Sequence, residues 1–265
     1  ELDAMRLIKD SAEAAIQQGS GEVNDYLFLG SLLWQARQFD RMQLVGERAV
    51  KIFPEQPITH FQLALASRAR DQHEKAAKHF AEAEQLASAS QAELLDHTFY
   101  YQYGSTLEHL GRYDDASRML EKSITLTPRE KSEAAANTMN FLGYMWLEQG
   151  KNLAKAGELI AKANELSPDN PAYIDSLGWL HYKKGEFAKA LADFQRAEKL
   201  IPEIQSEDAE ILEHIALAHK QLGDATKALD YLERANALKT PFPKIRERIE
   251  KTLKQWKGIS DTEKK

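Results

Sequence analysis

The stretch NPAYIDSLGWLHYKKGEFAKALADFQRAEKLIP, residues 170–202, decides the fold. It places small residues at Gly178 and Ala190, a large apolar residue at Phe194 and a proline at Pro202. Small residues let two helices cross closely, an apolar residue fills the space between them, and proline ends the second helix. The stretch therefore predicts a hairpin of two antiparallel helices.

The same spacing recurs along the chain with a period of about 34 residues. The pattern begins near Val23, Pro57, His97, Ala136, Pro171 and Ala209. The six predicted repeats are residues 23–56, 57–90, 97–130, 136–170, 171–204 and 209–240. Because each hairpin has an apolar side that it cannot bury alone, successive hairpins are expected to stack on one another.

The pattern resembles the tetratricopeptide repeat, or TPR, and departs from it in the quoted unit at His181, where the family has an aromatic residue. The resemblance covers most of the chain. It implies an all-α fold, a right-handed α-solenoid of stacked TPR helix hairpins with a C-terminal capping helix. The unit that ends at Pro168 departs in length, because it carries one extra residue in the turn after Gly150.

The two ends of the chain lie outside the repeats. Residues 1–22 have apolar residues at helical spacing and are interpreted as the second helix of a truncated N-terminal repeat. Residues 241–257 place apolar residues on one helical face and Lys and Arg on the other, which predicts a capping helix. Residues 258–265 are interpreted as a disordered tail.

Composition narrows the classes of function. The 265 residues include 35 Lys and Arg against 41 Asp and Glu, and a net charge of −6 offers no general attraction for nucleic acid. The basic C-terminal end is interpreted as a solvated helix face rather than as a site for an anionic surface. The absence of cysteine excludes disulfides, thiol catalysis and cysteine-ligated metals.

No apolar run approaches the length of a membrane span, and the chain begins at Glu1 without Met or a signal peptide. We therefore expect membrane association only through an anchor that has been removed.

The sequence shows no sign of catalysis. It has no phosphate-binding glycine loop, no dinucleotide fingerprint and no H-E-x-x-H zinc motif. His214 and His219 are five residues apart, which places them on different sides of a helix and disfavours a metal site. We expect a protein that is not an enzyme and has no catalytic residues, cofactor, metal or small-molecule substrate.

The resemblance implies that certain places of each first helix line a concave groove. The candidate partner-binding residues at those places are Trp34, Phe61, Arg68, Tyr101, Asn137, Asn140, Tyr144, Asp175, Trp179, Tyr182 and Lys183. Aromatic residues recur among them, and large aromatic side chains are typical anchors for a peptide or helix. The alternative is that several of these side chains pack against a neighbouring helix. We expect such packing less for Tyr144, Trp179 and Tyr182 than for the other residues. The Lys/Asn/Arg carboxylate clamp of chaperone-binding TPR proteins is not expected.

The leading hypothesis is a non-catalytic scaffold or adaptor that binds a protein or peptide segment in the groove. The segment SPDNPAYIDSLGW resembles the C-terminal repeats of bacterial cell-envelope TPR proteins, many of them lipoproteins, some of which serve proteases or assembly complexes. That resemblance favours a periplasmic or outer-membrane-anchored location over a cytoplasmic one, although the residues alone leave the compartment unknown. Two alternatives remain: a regulatory or targeting segment of a larger enzyme, and self-association through the first helix or the cap.

Overall fold

A computed structural model describes residues 14, 16, 21–87, 89–129 and 132–258. These residues form helices, turns and connections, and no strand occurs among them. The interpretation of residues 1–22 as a helix falls mostly outside the described part of the chain, in which Ala14 and Ile16 are helical. The interpretation of the tail likewise falls outside it after Gly258. The chain divides into two compact units, Glu1–Arg129 and Glu130–Lys265, which we describe separately.

Unit 1 contains three stacked helix hairpins in its described part. The first helices of the hairpins are α1 (Val23–Gln35), α3 (Pro57–Ala69) and α5 (His97–His109), and the second helices are α2 (Phe39–Ile52), α4 (His73–Leu86) and α6 (Tyr113–Leu126). A 3-10 turn at Ala89–Leu94 lengthens the connection between the second and third hairpins. The hairpins pack in chain order, so that α3 contacts both α1 and α5.

Unit 2 also contains three hairpins, followed by one further helix. Its first helices are α7 (Ser132–Glu148), α9 (Pro171–Lys183) and α11 (Ala209–Gln221), and its second helices are α8 (Leu153–Leu166), α10 (Phe187–Leu200) and α12 (Ala225–Ala237). The last helix, α13 (Pro243–Trp256), packs against α12 and α11 through the buried Ile249. A 3-10 turn at Ser206–Asp208 precedes α11. The all-α fold of stacked hairpins with a C-terminal capping helix is confirmed.

The small residues of the repeat lie where the two helices of a hairpin cross. A Cβ atom added to Gly178 of α9 would lie 2.6 Å from the ring of Phe194 on α10. A Cβ atom on Gly143 would lie 2.8 Å from Ile160, and one on Gly104 would lie 2.8 Å from Leu120. Glycine is therefore required at these crossings because the second helix occupies the space that a side chain would need.

The turn between α7 and α8 differs from the others in unit 2. Gly185 and Gly223, in the turns that follow α9 and α11, have φ values of 77° and 85°. The turn after α7 has two residues in the left-handed region, Gly150 with a φ of 64° and Asn152 with a φ of 52°. The extra residue that the sequence places in this turn is therefore accommodated by a second left-handed residue, and asparagine is one of the few non-glycine residues that tolerate that conformation.

Among the described residues, no helix is both long and apolar enough to cross a membrane.

Candidate functional site

An apolar pocket lies between α1 and α3 of unit 1, and we call it the Trp34 pocket. Its volume is about 330 Å³, and it is lined by Leu27, Ser31, Trp34, Gln35, Met42, Ile58, Phe61, Gln62 and Leu65. Trp34 is 41% exposed, which is unusual for so large an apolar side chain. Its ring packs edge-on against the ring of Phe39, with the two ring centroids 5.4 Å apart. The structure thus brings two of the predicted groove residues, Trp34 and Phe61, to one concavity.

The floor of the Trp34 pocket is held by contacts between α1 and α3. Gln62 of α3 donates a hydrogen bond from Nε2 to the carbonyl oxygen of Leu27, at 3.0 Å. A Cβ atom on Gly30 would lie 1.9 Å from the same Nε2, so a side chain at this position would displace the amide of Gln62. Behind the pocket, the ring of Phe61 lies 5.2 Å from the buried ring of Phe99. These contacts make the pocket a formed feature of the packing.

Arg68 lies on α3 beyond the Trp34 pocket and reaches towards α5. Its Nη2 donates to the hydroxyl of the buried Ser105 at 3.2 Å. Its Nε is buried and has no hydrogen-bond partner in the described part of the chain. Burial lowers the pKa of Arg68, because a desolvated guanidinium is less stable, while nearby Tyr101 and Asp71 oppose that shift. Two predicted groove residues, Arg68 and Tyr101, are therefore neighbours.

A pair of histidines that we did not predict as functional lies close to Arg68. The imidazole centroids of His73 and His109 are 4.5 Å apart, and Arg68 influences the pKa of both rings. Nδ1 of His73 is buried and finds no partner among the residues described, whereas Nδ1 of His109 lies 2.9 Å from the carbonyl oxygen of Ser105. Burial, followed by the charge of His109, lowers the pKa of His73. The hydrogen bond with Glu108 raises the pKa of His109.

Three predicted groove residues of unit 2 meet around one indole ring. Trp179 is only 8% exposed and is stacked parallel to Tyr182 at a centroid distance of 4.9 Å. Nζ of Lys183 lies 4.8 Å from the centre of the indole. The indole Nε1 donates to Glu148 Oε1 at 2.7 Å. The indole nitrogen of Trp179 therefore has a hydrogen-bond acceptor within unit 2, and Tyr182 and Lys183 both contact the indole ring.

Asp175, another predicted groove residue, lies below the surface. It is 6% exposed, and its two carboxylate oxygens lie 2.9 and 3.0 Å from Nδ1 of His214, which is itself fully buried. Burial disfavours the charged imidazolium, but the charge and the hydrogen bond of Asp175 outweigh it and raise the pKa of His214. The pair links α9 to α11 and holds Asp175 inside the unit.

The capping helix also contacts α11, the last of the first helices of unit 2. Arg248 of α13 donates from Nε and Nη2 to the two carboxylate oxygens of Glu213, at 2.8 and 2.7 Å. Its Nη2 also donates to Glu210 at 2.7 Å, and Glu210 accepts a hydrogen bond from the hydroxyl of Tyr144 at 3.1 Å. Burial, followed by the charge of Glu210, raises the pKa of Tyr144 well above its usual range. Tyr144, predicted as an anchor, therefore belongs to a network closed by the cap.

The two predicted asparagines differ in exposure. Asn137 is exposed on α7. Asn140, one turn further along, is half-buried, and its Oδ1 is buried without a hydrogen-bond partner among the described residues. Asn140 thus has a buried acceptor without a partner among the described residues, one helical turn from the exposed amide of Asn137. No group of three or more His, Asp or Glu residues able to hold a metal ion occurs within the described ranges.

Helix hairpins that repeat with this spacing define the class of helical repeat proteins that present their first helices as a surface. Tetratricopeptide repeat family models match residues 97–130, 171–204 and 209–240. These three segments of the chain are tetratricopeptide repeats.

One curated relative, the TPR repeat-containing protein PA4667 of Pseudomonas aeruginosa, is 33% identical over 102 residues. That match covers 38% of this chain and 16% of the relative, so the chain spans only a small part of the relative's length.

Two solved structures share the fold at low identity. The crystal structure of PilW, a widely conserved type IV pilus biogenesis factor, is similar to this chain with a TM-score of 0.66 and a sequence identity of 17%. The superposition covers 86% of this chain and 98% of PilW. A chain of the APC/C hetero-tetramer Cut9-Hcn1 has a TM-score of 0.65 at 17% identity, with 96% of this chain and 47% of that chain covered. At these identities the likeness concerns the fold alone.

Proposed function

We propose that this protein is a non-catalytic interaction scaffold that binds a protein segment at the Trp34 pocket, with a large apolar side chain of the partner inserted between α1 and α3. The observation that carries the proposal is the exposed indole of Trp34 at the edge of a formed apolar concavity. Apolar concavities with aromatic edges are typical anchor points in interfaces. The Cut9-Hcn1 structure is a hetero-tetramer, and this supports the proposal that the ligand of a stack with this fold is a protein.

Unit 2 is less suited to this role. Tyr144, Trp179 and Asp175 are already engaged with Glu210, Glu148 and His214. A partner would have to replace those contacts, which are made in a buried environment where a lost hydrogen bond is costly. The pocket of unit 1 requires no such exchange, because the ring of Trp34 is already exposed and the surface of the pocket is mostly apolar.

The proposal is tested with peptides selected from a random displayed library against the full chain. The affinities of the selected peptides are then measured by fluorescence anisotropy for the wild type and for Trp34→Ala, Phe61→Ala and Leu44→Ala. Leu44 is 66% exposed on α2 and serves as the matched control for loss of an exposed apolar side chain. We expect selected peptides to share a large apolar residue and to lose at least about tenfold in affinity with Trp34→Ala and Phe61→Ala.

The control should bind as the wild type does. Peptides that bind Trp34→Ala and Phe61→Ala as tightly as the wild type, or that are weakened equally by Leu44→Ala, would overturn the assignment of the pocket. The same peptides measured against Tyr182→Ala report whether unit 2 contributes.

We further propose that the scaffold serves an assembly in the cell envelope. The fold shared with a type IV pilus biogenesis factor supports this location. Fractionation of the cells from which the protein comes, followed by detection with an antibody to this chain, tests it. Recovery with the envelope fraction is expected, and recovery only with soluble cytoplasmic proteins would contradict the proposal.

A further inference from the structure

We infer that Arg68, together with His73 and Ser105, forms a carboxylate-binding site at one end of the face on which the Trp34 pocket lies. The inference rests on the proposed function, because the carboxylate is assigned to the same bound segment whose apolar side chain enters the pocket. The ligand is therefore a peptide that combines a large apolar residue with a carboxylate at a defined distance.

The first observation is an unused donor on a cation. The guanidinium of Arg68 forms no ion pair with a carboxylate in the described residues, and the only hydrogen bond of this side chain there is donated to the neutral hydroxyl of Ser105. Its Nε–H is buried without an acceptor. Buried polar groups of folded proteins are nearly always paired, and a buried N–H without an acceptor is costly. An anion supplied by a ligand would provide the acceptor.

The second observation is a further unused ring nitrogen beside this cation. Nδ1 of His73 is buried and lacks a partner in the described part of unit 1. Arg68 lowers the pKa of His73, which places the two groups within electrostatic reach of each other. As the tautomer with hydrogen on Nδ1, or as the imidazolium, His73 donates a hydrogen bond. The two oxygens of one carboxylate can accept one hydrogen bond from Arg68 and one from His73.

The carboxylates already present are directed at the imidazoles. Oδ1 of Asp71 lies 3.8 Å from Nε2 of His73, and Oε2 of Glu108 lies 3.3 Å from Nδ1 of His109. Neither forms a hydrogen bond with the guanidinium of Arg68. The site also differs from a Lys/Asn/Arg clamp, because its second donor is an imidazole and its third group is a serine hydroxyl.

The position of Arg68 sets the spacing of the ligand. Phe61, Leu65 and Arg68 lie on one face of α3 because helical residues three, four and seven positions apart share a face. Seven residues of helix span about 10.5 Å, since each residue rises 1.5 Å. An extended peptide covers at most about 3.3–3.6 Å per residue. The carboxylate should therefore lie about three residues from the apolar side chain.

The test uses matched synthetic probes and the full chain. The probes are N-acetyl-Phe followed by one to four alanines, each made with a free C-terminal carboxylate and with a C-terminal amide. Affinity is measured by NMR titration, and the Nε–H resonance of Arg68 is followed in protein labelled with ¹⁵N-arginine. We expect the carboxylate to bind about tenfold more tightly than the amide at two or three alanines, with a shift of the Arg68 resonance, and to show little advantage at one alanine.

Variants separate the site from general charge. Arg68→Gln should abolish the difference between carboxylate and amide but retain binding of the amide. Arg118→Gln, which removes an exposed arginine of α6, should change neither. If Arg68→Gln does not fold, the comparison of acid and amide in the wild type and the shift of the Arg68 resonance still decide the question.

The outcomes distinguish this inference from the proposed function. Equal binding of acid and amide at every length, with the pocket perturbed by both, overturns the carboxylate site and leaves the pocket intact. If neither probe perturbs the pocket, the proposed function is wrong for this ligand class. The carboxylate site is then judged by titration with sodium acetate against sodium chloride. A shift of the Arg68 Nε–H by acetate alone supports the site, and an equal response to both salts overturns it.

Discussion

The indole of Trp179 stacks on the imidazole of His214, with ring centroids 4.3 Å apart and an angle of 16° between the planes. The two residues belong to α9 and α11, the first helices of successive hairpins. Trp179 therefore contributes to the packing of unit 2, and the aromatic residue predicted as an anchor for a partner has an internal neighbour on each side.

Replacement of Trp179 by alanine should destabilise unit 2 by about 3 kcal/mol, because it removes a large buried side chain and leaves a cavity beside His214. Urea unfolding followed by circular dichroism provides the measurement. Trp34→Ala is the matched control, since it removes the same atoms from an exposed site, and it should cost less than about 1 kcal/mol. Equal losses for the two variants would show that Trp179 is not a packing residue.

Arg248→Ala should destabilise unit 2 by about 3 kcal/mol, because it leaves the carboxylate of Glu213 buried without its cation. Glu213 is fully buried, so water cannot take the place of the guanidinium. Urea unfolding of Lys251→Ala, which removes an exposed cation from the same helix, is the control and should change stability by less than about 0.5 kcal/mol. The double variant Arg248→Met with Glu213→Leu should recover much of the loss. If the single Arg248→Ala variant were as stable as the control, the ion pair would contribute nothing to attachment of the cap.

The stability of unit 1 should fall in mild acid because of His79. Nδ1 of His79 lies 3.1 Å from Nδ1 of His60, and Nε2 of His60 lies 3.0 Å from the carbonyl oxygen of Pro54. Nε2 of His60 therefore donates to Pro54, which leaves Nδ1 of His60 as the acceptor for Nδ1–H of His79. Burial, followed by the charge of His60, lowers the pKa of His79 to about 4.

The direction follows from proton linkage. An unfolded histidine has a pKa of about 6.5, so the unfolded chain binds more protons than the folded one between that pH and about 4. The stability associated with neutral His79 is complete above about pH 6.5 and is lost as the pH falls towards 4. The shift corresponds to at most about 3 kcal/mol, and solvent around the partly exposed ring reduces our expectation to about 1 kcal/mol.

Urea unfolding at pH 7.5 and pH 4.5 tests this expectation with wild type and His79→Gln. The wild type should lose about 1 kcal/mol more than the variant over that interval, because glutamine does not titrate. Identical pH dependence in both proteins would contradict the assignment.

Gly178→Ala should destabilise unit 2 by about 1–3 kcal/mol, because the new methyl group would lie 2.6 Å from the fully buried ring of Phe194. Gly157→Ala is a matched control within a helix of the same unit. Its methyl group would lie 3.3 Å from a terminal carbon of Leu180, which can shift slightly, and alanine favours the helix by about 1 kcal/mol over glycine. Thermal unfolding should therefore separate the two variants in opposite directions. A neutral Gly178→Ala would mean that the crossing is looser than the structure indicates.

The spacing of small and apolar residues was sufficient to predict the hairpins. Gly178 lies against Phe194, as the repeat pattern requires, and the extra residue after Gly150 is taken up in its turn. Such features depend on residues within one hairpin, so a single repeat of sequence contains both partners of each contact. The first helix of unit 2 is longer than the repeat pattern, since α7 begins at Ser132. Helix ends depend on neighbouring contacts as well as on the pattern.

The site could be predicted only as a set of positions on helix faces. Trp34 and Phe61 were correctly placed on neighbouring first helices, but their shared pocket forms only where α1 and α3 pack together, with Gln62 bonded to Leu27. The sequence offered no signal for His73 as a neighbour of Arg68. Its only relevant feature was a histidine at the first position of a second helix.

By itself, the sequence determined that this protein is a stack of helix hairpins, because the period of its small and apolar residues is local and repeated. The tertiary structure alone decided which of the predicted groove positions are exposed and which are buried. Asp175 is covered because His214 lies opposite it on the next first helix, and Glu213 is covered because the cap supplies Arg248. A buried carboxylate is stable only with a partner that neutralises and hydrogen-bonds it. Helical periodicity determines the face on which a side chain lies, whereas its exposure depends on residues that are distant in the chain and meet it only after the hairpins have stacked.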